Sequence, residues 1–111
     1  MNSRERQVRA ARRLISDAQL IAFLRAVRGS GDLFAVELIN EDLDNGESLD
    51  EIFYTRNEYG YLLSVRKLPA LGLLISFGCQ AGPAEGDGGE WQVSFVGDSA
   101  HLVKAETFWI S

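Results

Sequence analysis

The chain is poor in the residues that build metal centres, disulfide frameworks and most nucleophilic sites. Cys79 is its one cysteine and His101 its one histidine. A lone cysteine cannot close an internal bridge, and a structural zinc ion needs three or four Cys, His or carboxylate ligands, so neither device is expected to organise the fold. Long apolar runs are missing too: the longest nearly apolar stretch, residues 68–77, is well short of the ~20 residues that span a bilayer. No apolar segment follows the basic N-terminus as a secretory signal would require, which predicts a soluble, cytoplasmic protein. No cofactor motif is recognisable. The glycine-rich stretch 82–89 lacks the Lys and Ser/Thr of a phosphate cradle, and Glu85 and Asp87 within it would repel phosphate, so it reads as a flexible hairpin connection.

What is present is the composition of a folded chain. With 111 residues, 46% hydrophobic and 24% charged, the sequence lacks the low hydrophobicity of disordered polypeptides and has the length of one compact domain spanning residues 1–111. A domain of this size buries roughly 60–70% of the surface its unfolded chain exposes, enough for a core without staples.

The net charge of −5 conceals a strong segregation. Residues 1–31 carry seven arginines against two acids, a balance of +5, whereas residues 32–51 carry eight acids and no Lys or Arg, a balance of −8. Such asymmetry implies either a charged partner or one end of the chain neutralising the other. The arginines could meet phosphates, but the acidic remainder would be repelled by the same polyanion, so a nucleic-acid partner is not expected.

Ser16 followed by Gln19 and then Leu20, Ile21, Phe23, Leu24 and Val27 is a capping box feeding an amphipathic helix, predicted at 17–28 and closed by Gly29 and Gly31. Residues 1–15 fit an Arg-rich arm, a first helix or, at Leu14–Ile15, a short edge strand. From Leu33 the apolar residues alternate at Phe34, Val36 and Leu38, which predicts a strand. Segments 52–56 and 61–66 around residues 57–60 predict a hairpin, after which Pro69 interrupts the ladder. Further strands are expected at 71–77, 91–95 and 102–110. The result is an α+β fold: an N-terminal helical segment packed on a mostly antiparallel sheet of about five strands.

Two constellations bear on function. Asn40, Asp42, Asp44, Gly46 and Glu51 approach the spacing of a calcium loop, but Asn45 occupies the sharp-turn position that requires glycine and the flanks read as strands. The stretch is better described as a turn at Asp44–Asn45–Gly46 with an acidic surface around it. Glu41, Asp42, Asp44, Glu47, Asp50 and Glu51 are its candidate partner-binding residues, presenting carboxylates to a protein with a basic groove. Cys79 and His101 are the only candidates for a thiol–imidazole pair, and Cys79, ending an apolar strand, reads as a core residue. Trp91, Phe95, Phe108 and Trp109 lie on alternating apolar faces without interleaved basic residues, as core and lid residues do.

In order, the helix 17–27, the strand 33–39, the acidic connection, the hairpin 52–66 with Tyr59–Gly60–Tyr61–Leu62, the strand bearing Ser76–Phe77–Gly78, the glycine-rich loop and the segment 91–95 resemble bacterial immunity proteins. The resemblance covers residues 16–108. It implies a small acidic antidote that binds and blocks a cognate polymorphic toxin, often a nuclease or deaminase; a monomer or weak homodimer is expected. A secretion chaperone or adaptor is an alternative of the same size and charge, and a stable homodimer would favour it. A small-ligand-binding or enzymatic domain would show a polar-lined pocket near His101.

Overall fold

The computed structural model describes residues 2–30, 33–55, 60–70, 72–82 and 85–110. Three helices precede a four-stranded antiparallel meander, so the α+β class holds with four strands where about five were predicted. The helices are α1 (Ser3–Leu14), α2 (Asp17–Val27) and α3 (Phe34–Asp44), followed by a single π-helical turn, Glu51–Thr55. The strands are β1 (Tyr61–Lys67), β2 (Leu73–Gly82), β3 (Glu85–Val96) and β4 (Ser99–Ile110), neighbours in space in the order of the chain. Among the described residues no helix is long and apolar enough to cross a membrane.

The Arg-rich start is helical: Asn2 accepts a hydrogen bond from the Glu5 N–H at 2.8 Å, and Val8, Ala11 and Ile15 supply its buried face. Helix α2 begins at the predicted capping box, with Ser16 and Gln19 bonding each other's backbone N–H reciprocally. Gly29, at φ +82°, follows its end; Gly31 lies outside the described residues.

Two predicted strands are helical instead. Segment 33–39 forms the first turns of α3, because the buried positions are Ala35, Val36, Ile39 and Asn40, the spacing of a helix face, while Phe34 points outward at 59% exposure. The apolar alternation of Phe34, Val36 and Leu38 is incidental to that face. Segment 52–55 belongs to the π-helical turn, opened by a second capping box in which Ser48 and Glu51 bond one another's backbone and side chain. Among the described residues the 52–66 hairpin is therefore not formed, and residues 56–59 lie outside them. Pro69 sits in the turn between β1 and β2, beyond the last ladder pair Lys67↔Leu73.

The glycine-rich stretch is also corrected. Apart from residues 83 and 84, which are not described, it is strand: Gly86, Asp87, Gly88 and Gly89 pair with Gln80, Cys79, Gly78 and Phe77 across β2. The missing side chains leave room. A Cβ on Gly88 would stand 2.7 Å from the Trp109 ring and 2.8 Å from the Gly78 Cα, so Trp109 lies flat over two strands on the face away from the helices.

The core fills the space between helices and sheet. Leu20, Phe23 and Leu24 of α2 meet Ile75, Phe77, Trp91 and Val93 of the sheet, with Trp91 edge-on to both Phe23 (5.5 Å) and Phe108 (5.7 Å). Tyr61 stacks on Phe77 at 5.8 Å and meets Phe53 edge-on. Cys79 is buried among them.

Candidate functional site

The acidic residues 37–51 lie on α3 and the connection to the π-helical turn, and the structure divides them into two groups. The first is neutralised from within. Asp44 receives Arg25 Nη1 of α2 at 2.7 Å and Nη1 of Arg28, the C-cap of that helix, at 3.0 Å, and Arg28 Nε reaches Glu37 at 3.5 Å. These arginines hold the Asp44 carboxyl below its ordinary range. Asp50 accepts from Arg12 Nη1 at 2.6 Å, and the same guanidinium bonds Asp17 at 2.9 Å. Burial alone would lower the Arg12 pKa, but the hydrogen bonds to Asp50 and Asp17 outweigh it and raise it. Arg9 stacks over the Tyr54 ring at 4.2 Å and Arg12 at 5.5 Å, so the basic N-terminal helix clamps the π-helical turn.

The second group is crowded with its own sign. Asp42 accepts a hydrogen bond from the Tyr61 hydroxyl at 3.0 Å. Desolvation nevertheless raises its pKa, and the neighbouring carboxylates of Glu47 and Glu41 push it further up. Glu41 is exposed and makes no ion pair among the described residues. All three stand at the C-terminal end of α3, whose last turn contains no basic residue, where the helix dipole is itself negative and further anions are unfavourable. Glu51 is spent on the capping box at Ser48.

Of the six predicted partner-binding residues, Asp44 and Asp50 are tied to arginines, Glu51 is a cap, and Glu41, Asp42 and Glu47 form the crowded group. The calcium-loop pattern dissolves. Asn40 is fully buried, donating to the Leu24 and Val36 carbonyls at 2.9 and 2.8 Å and accepting from Arg25 at 2.9 Å. With Asp42 and Asp44 on the same helix, these side chains radiate from α3 and do not converge on one point. Among the described residues no group of three His, Cys, Asp or Glu could hold a metal ion.

Cys79 and His101 are not brought together. Cys79 faces Asp87 on β3 and His101 faces Ser94, about 23 Å apart along the strand at roughly 3.3 Å per residue. Burial pushes the Cys79 thiol up, away from the thiolate a nucleophile needs.

The residue that sequence reasoning missed is Asp87. Its carboxylate accepts the N–H groups of Phe34 at 2.5 Å and Ala35 at 2.9 Å, capping α3 from a strand more than fifty positions away. Leu33 precedes that helix and supplies no side-chain cap. The one local signal is the setting of Asp87 among glycines, which let the strand approach the helix end closely.

Compared with protein-family models, curated proteins and solved structures, the chain matches none.

Proposed function

We propose that the protein is a small acidic binding protein of the immunity type, blocking a bacterial toxin that presents a basic surface in the cytoplasm. The observation that carries this reading is the crowding of Glu41, Asp42 and Glu47 at the negative end of α3. Among the described residues, arginines of the N-terminal part answer Glu37, Asp44 and Asp50, while Asp42 stands beside the like charges of Glu47 and Glu41. A cationic partner relieves that repulsion, speeds encounter and disfavours anionic competitors. The remaining acids act in support: paired with α1 and α2, they fix the helix that presents the crowded group.

The test is co-expression with the polypeptide encoded next to this one, scored by rescue of growth and then by association kinetics at two ionic strengths. Neutralising Glu41→Gln, Asp42→Asn and Glu47→Gln together should slow association by about tenfold at low salt and flatten its salt dependence. A triple variant that associates as fast as the parent at low salt defeats this reading.

One feature favours the chaperone or adaptor reading. A groove of about 570 Å³ opens where the α1–α2 junction meets the ends of β2 and β3, lined by Leu14, Ile15, Leu68, Leu73, Phe95 and Val96. It suits an extended apolar client, and uptake of such a peptide with no toxin rescue would transfer the assignment.

A further inference from the structure

The two edges of the sheet differ in length and exposure. β4 runs for twelve residues with neighbours on one side only, and its side chains stand largely in the open, Ile110 at 82%, Val103 at 59% and Phe108 at 49% exposure. The opposite edge, β1, has seven residues and is more deeply buried, with α1 packed on it as α2 packs on β4. A long, partly apolar edge strand with exposed side chains is a template for a further strand.

The pairing of β4 with β3 slips twice. Glu90 faces Thr107, Trp91 faces Ala105, Gln92 faces Lys104 and Val93 faces Leu102, so Glu106 and Val103 have no opposite residue of their own. The positions facing the helical layer are therefore Leu102, Ala105 and Phe108, spaced by three on either side of Ala105. About that centre Lys104 is placed opposite Glu106 and Leu102 opposite Phe108, with Val103 opposite Thr107, His101 opposite Trp109 and Ala100 opposite Ile110.

We infer that β4 is a homodimer edge: two copies pair antiparallel about a two-fold axis at Ala105, perpendicular to the sheet, to form one continuous eight-stranded sheet. A perpendicular axis keeps both helical layers on one face, so a register must set helix-facing residues against helix-facing residues. The register centred on Ala105 does so. It sets Lys104 of each copy against Glu106 of the other, joining the Lys104–Glu106 ion pair that each chain already holds at 3.7 Å. It also sets Leu102 against the partner's Phe108 on the helical face. The two slips, at Val103 and Glu106, do not meet each other in this register, where Val103 faces the partner's Thr107; irregular edges discourage extended pairing, so the contact rests on the central segment, the Lys104–Glu106 pairs and Leu102 against Phe108. The partner this edge fits is a second copy of the same chain, because the charge pattern is complementary to itself.

The inference does not rest on the proposed function, which is compatible with a weak homodimer; a tight one would favour the chaperone or adaptor reading. β4 contains none of Glu41, Asp42 and Glu47, and a dimer joined by strands leaves α3 of both copies open.

Sedimentation equilibrium of the full chain from micromolar to millimolar concentration reads the association directly. Lys104→Glu and Glu106→Lys each place like charges opposite one another twice across the axis, and each should weaken self-association by about tenfold. An equimolar mixture of the two variants should dimerise as the parent does, and so should the double exchange Lys104→Glu/Glu106→Lys. Ala105→Cys should oxidise to a linked dimer, since directly opposed Cα atoms in an antiparallel pair lie within disulfide reach. Ala100→Cys, which faces Ile110 of the other copy, should not. Thermal melts of the monomeric species confirm that each variant is folded. A chain that stays monomeric throughout, or a dimer in which the mixture fails to complement and Ala100→Cys links as readily as Ala105→Cys, overturns the proposal.

Discussion

The lone Asp87 and the eight acids between residues 32 and 51 make opposite uses of the same chemistry. Asp87 is buried, surrounded by glycines, and holds two backbone N–H groups at the start of α3. The acids of the segment are mostly at the surface, and those paired with arginines hold flexible guanidinium groups at 2.6–3.5 Å. Number of charges is thus a poor guide to energetic weight. A carboxylate that satisfies helix-end donors in a dry setting cannot be replaced by water, whereas surface ion pairs exchange with solvent at a net worth of ~0–1 kcal/mol.

The comparison is broken most sharply at Asp87 itself. Asp87→Ala leaves two N–H groups of a partly buried helix end without an acceptor and should cost about 2–3 kcal/mol in denaturant unfolding, with Asp87→Asn losing less because one oxygen survives. Partner binding should weaken in parallel, since α3 carries the acidic face. A loss below ~0.5 kcal/mol for Asp87→Ala would mean that water takes over the cap.

Asn40→Ala comes next. It removes the amide that joins the Leu24 and Val36 carbonyls and orients Arg25, and the expected loss is about 1–2 kcal/mol. Equality with surface variants of α3 would show that the α2–α3 junction does not depend on that amide.

A smaller effect, of opposite sign, is expected at Asp42. Its carboxyl is raised in the folded state, first by desolvation and then by Glu47 and Glu41. The folded chain therefore holds the proton more tightly than the unfolded one, and the charge on Asp42 opposes folding above the raised pKa. That penalty fades as pH falls through the raised value toward the unfolded one near 3.9. Asp42→Asn, which keeps an acceptor for Tyr61, should be slightly more stable than the parent at pH 7, by no more than ~0.5 kcal/mol, and the gap should close in acid. Equal stability at both pH values would remove the crowding argument.

Asp44 provides the mirror image and the smallest change. Its carboxyl is lowered by Arg28 and Arg25, so its support of the fold is complete above the unfolded pKa and is lost as pH falls through the lowered folded value. The stability difference between parent and Asp44→Asn should therefore shrink only at strongly acidic pH. Both pH profiles can be recorded by urea unfolding in parallel buffers.

The candidate site was half legible in the residue order. The charge runs at 1–31 and 32–51 already raised the possibility of internal neutralisation. What they did not specify was which acids the arginines would reach, because Arg12 meets Asp50, and Arg25 and Arg28 meet Asp44, only once three helices have packed. A second capping box at Ser48 and Glu51 was readable but hidden by the aromatic residues after it, which look like strand.

Local chemistry by itself determined the helix that starts at Ser16 and the apolar faces of β1, β2, β3 and β4, because a capping box acts over three residues and strand alternation over two. Tertiary structure alone decided the rest. Helix α3 exists where alternation suggested a strand because its N-terminus is capped from β3, and a donor fifty positions from its acceptor leaves no pattern in any short window. The glycines around Asp87 became strand because Trp109 and Phe108, arriving last in the chain, cover the space their missing side chains leave. The two slips in β4 arise from pairing with β3, and pairing register is a property of two segments at once.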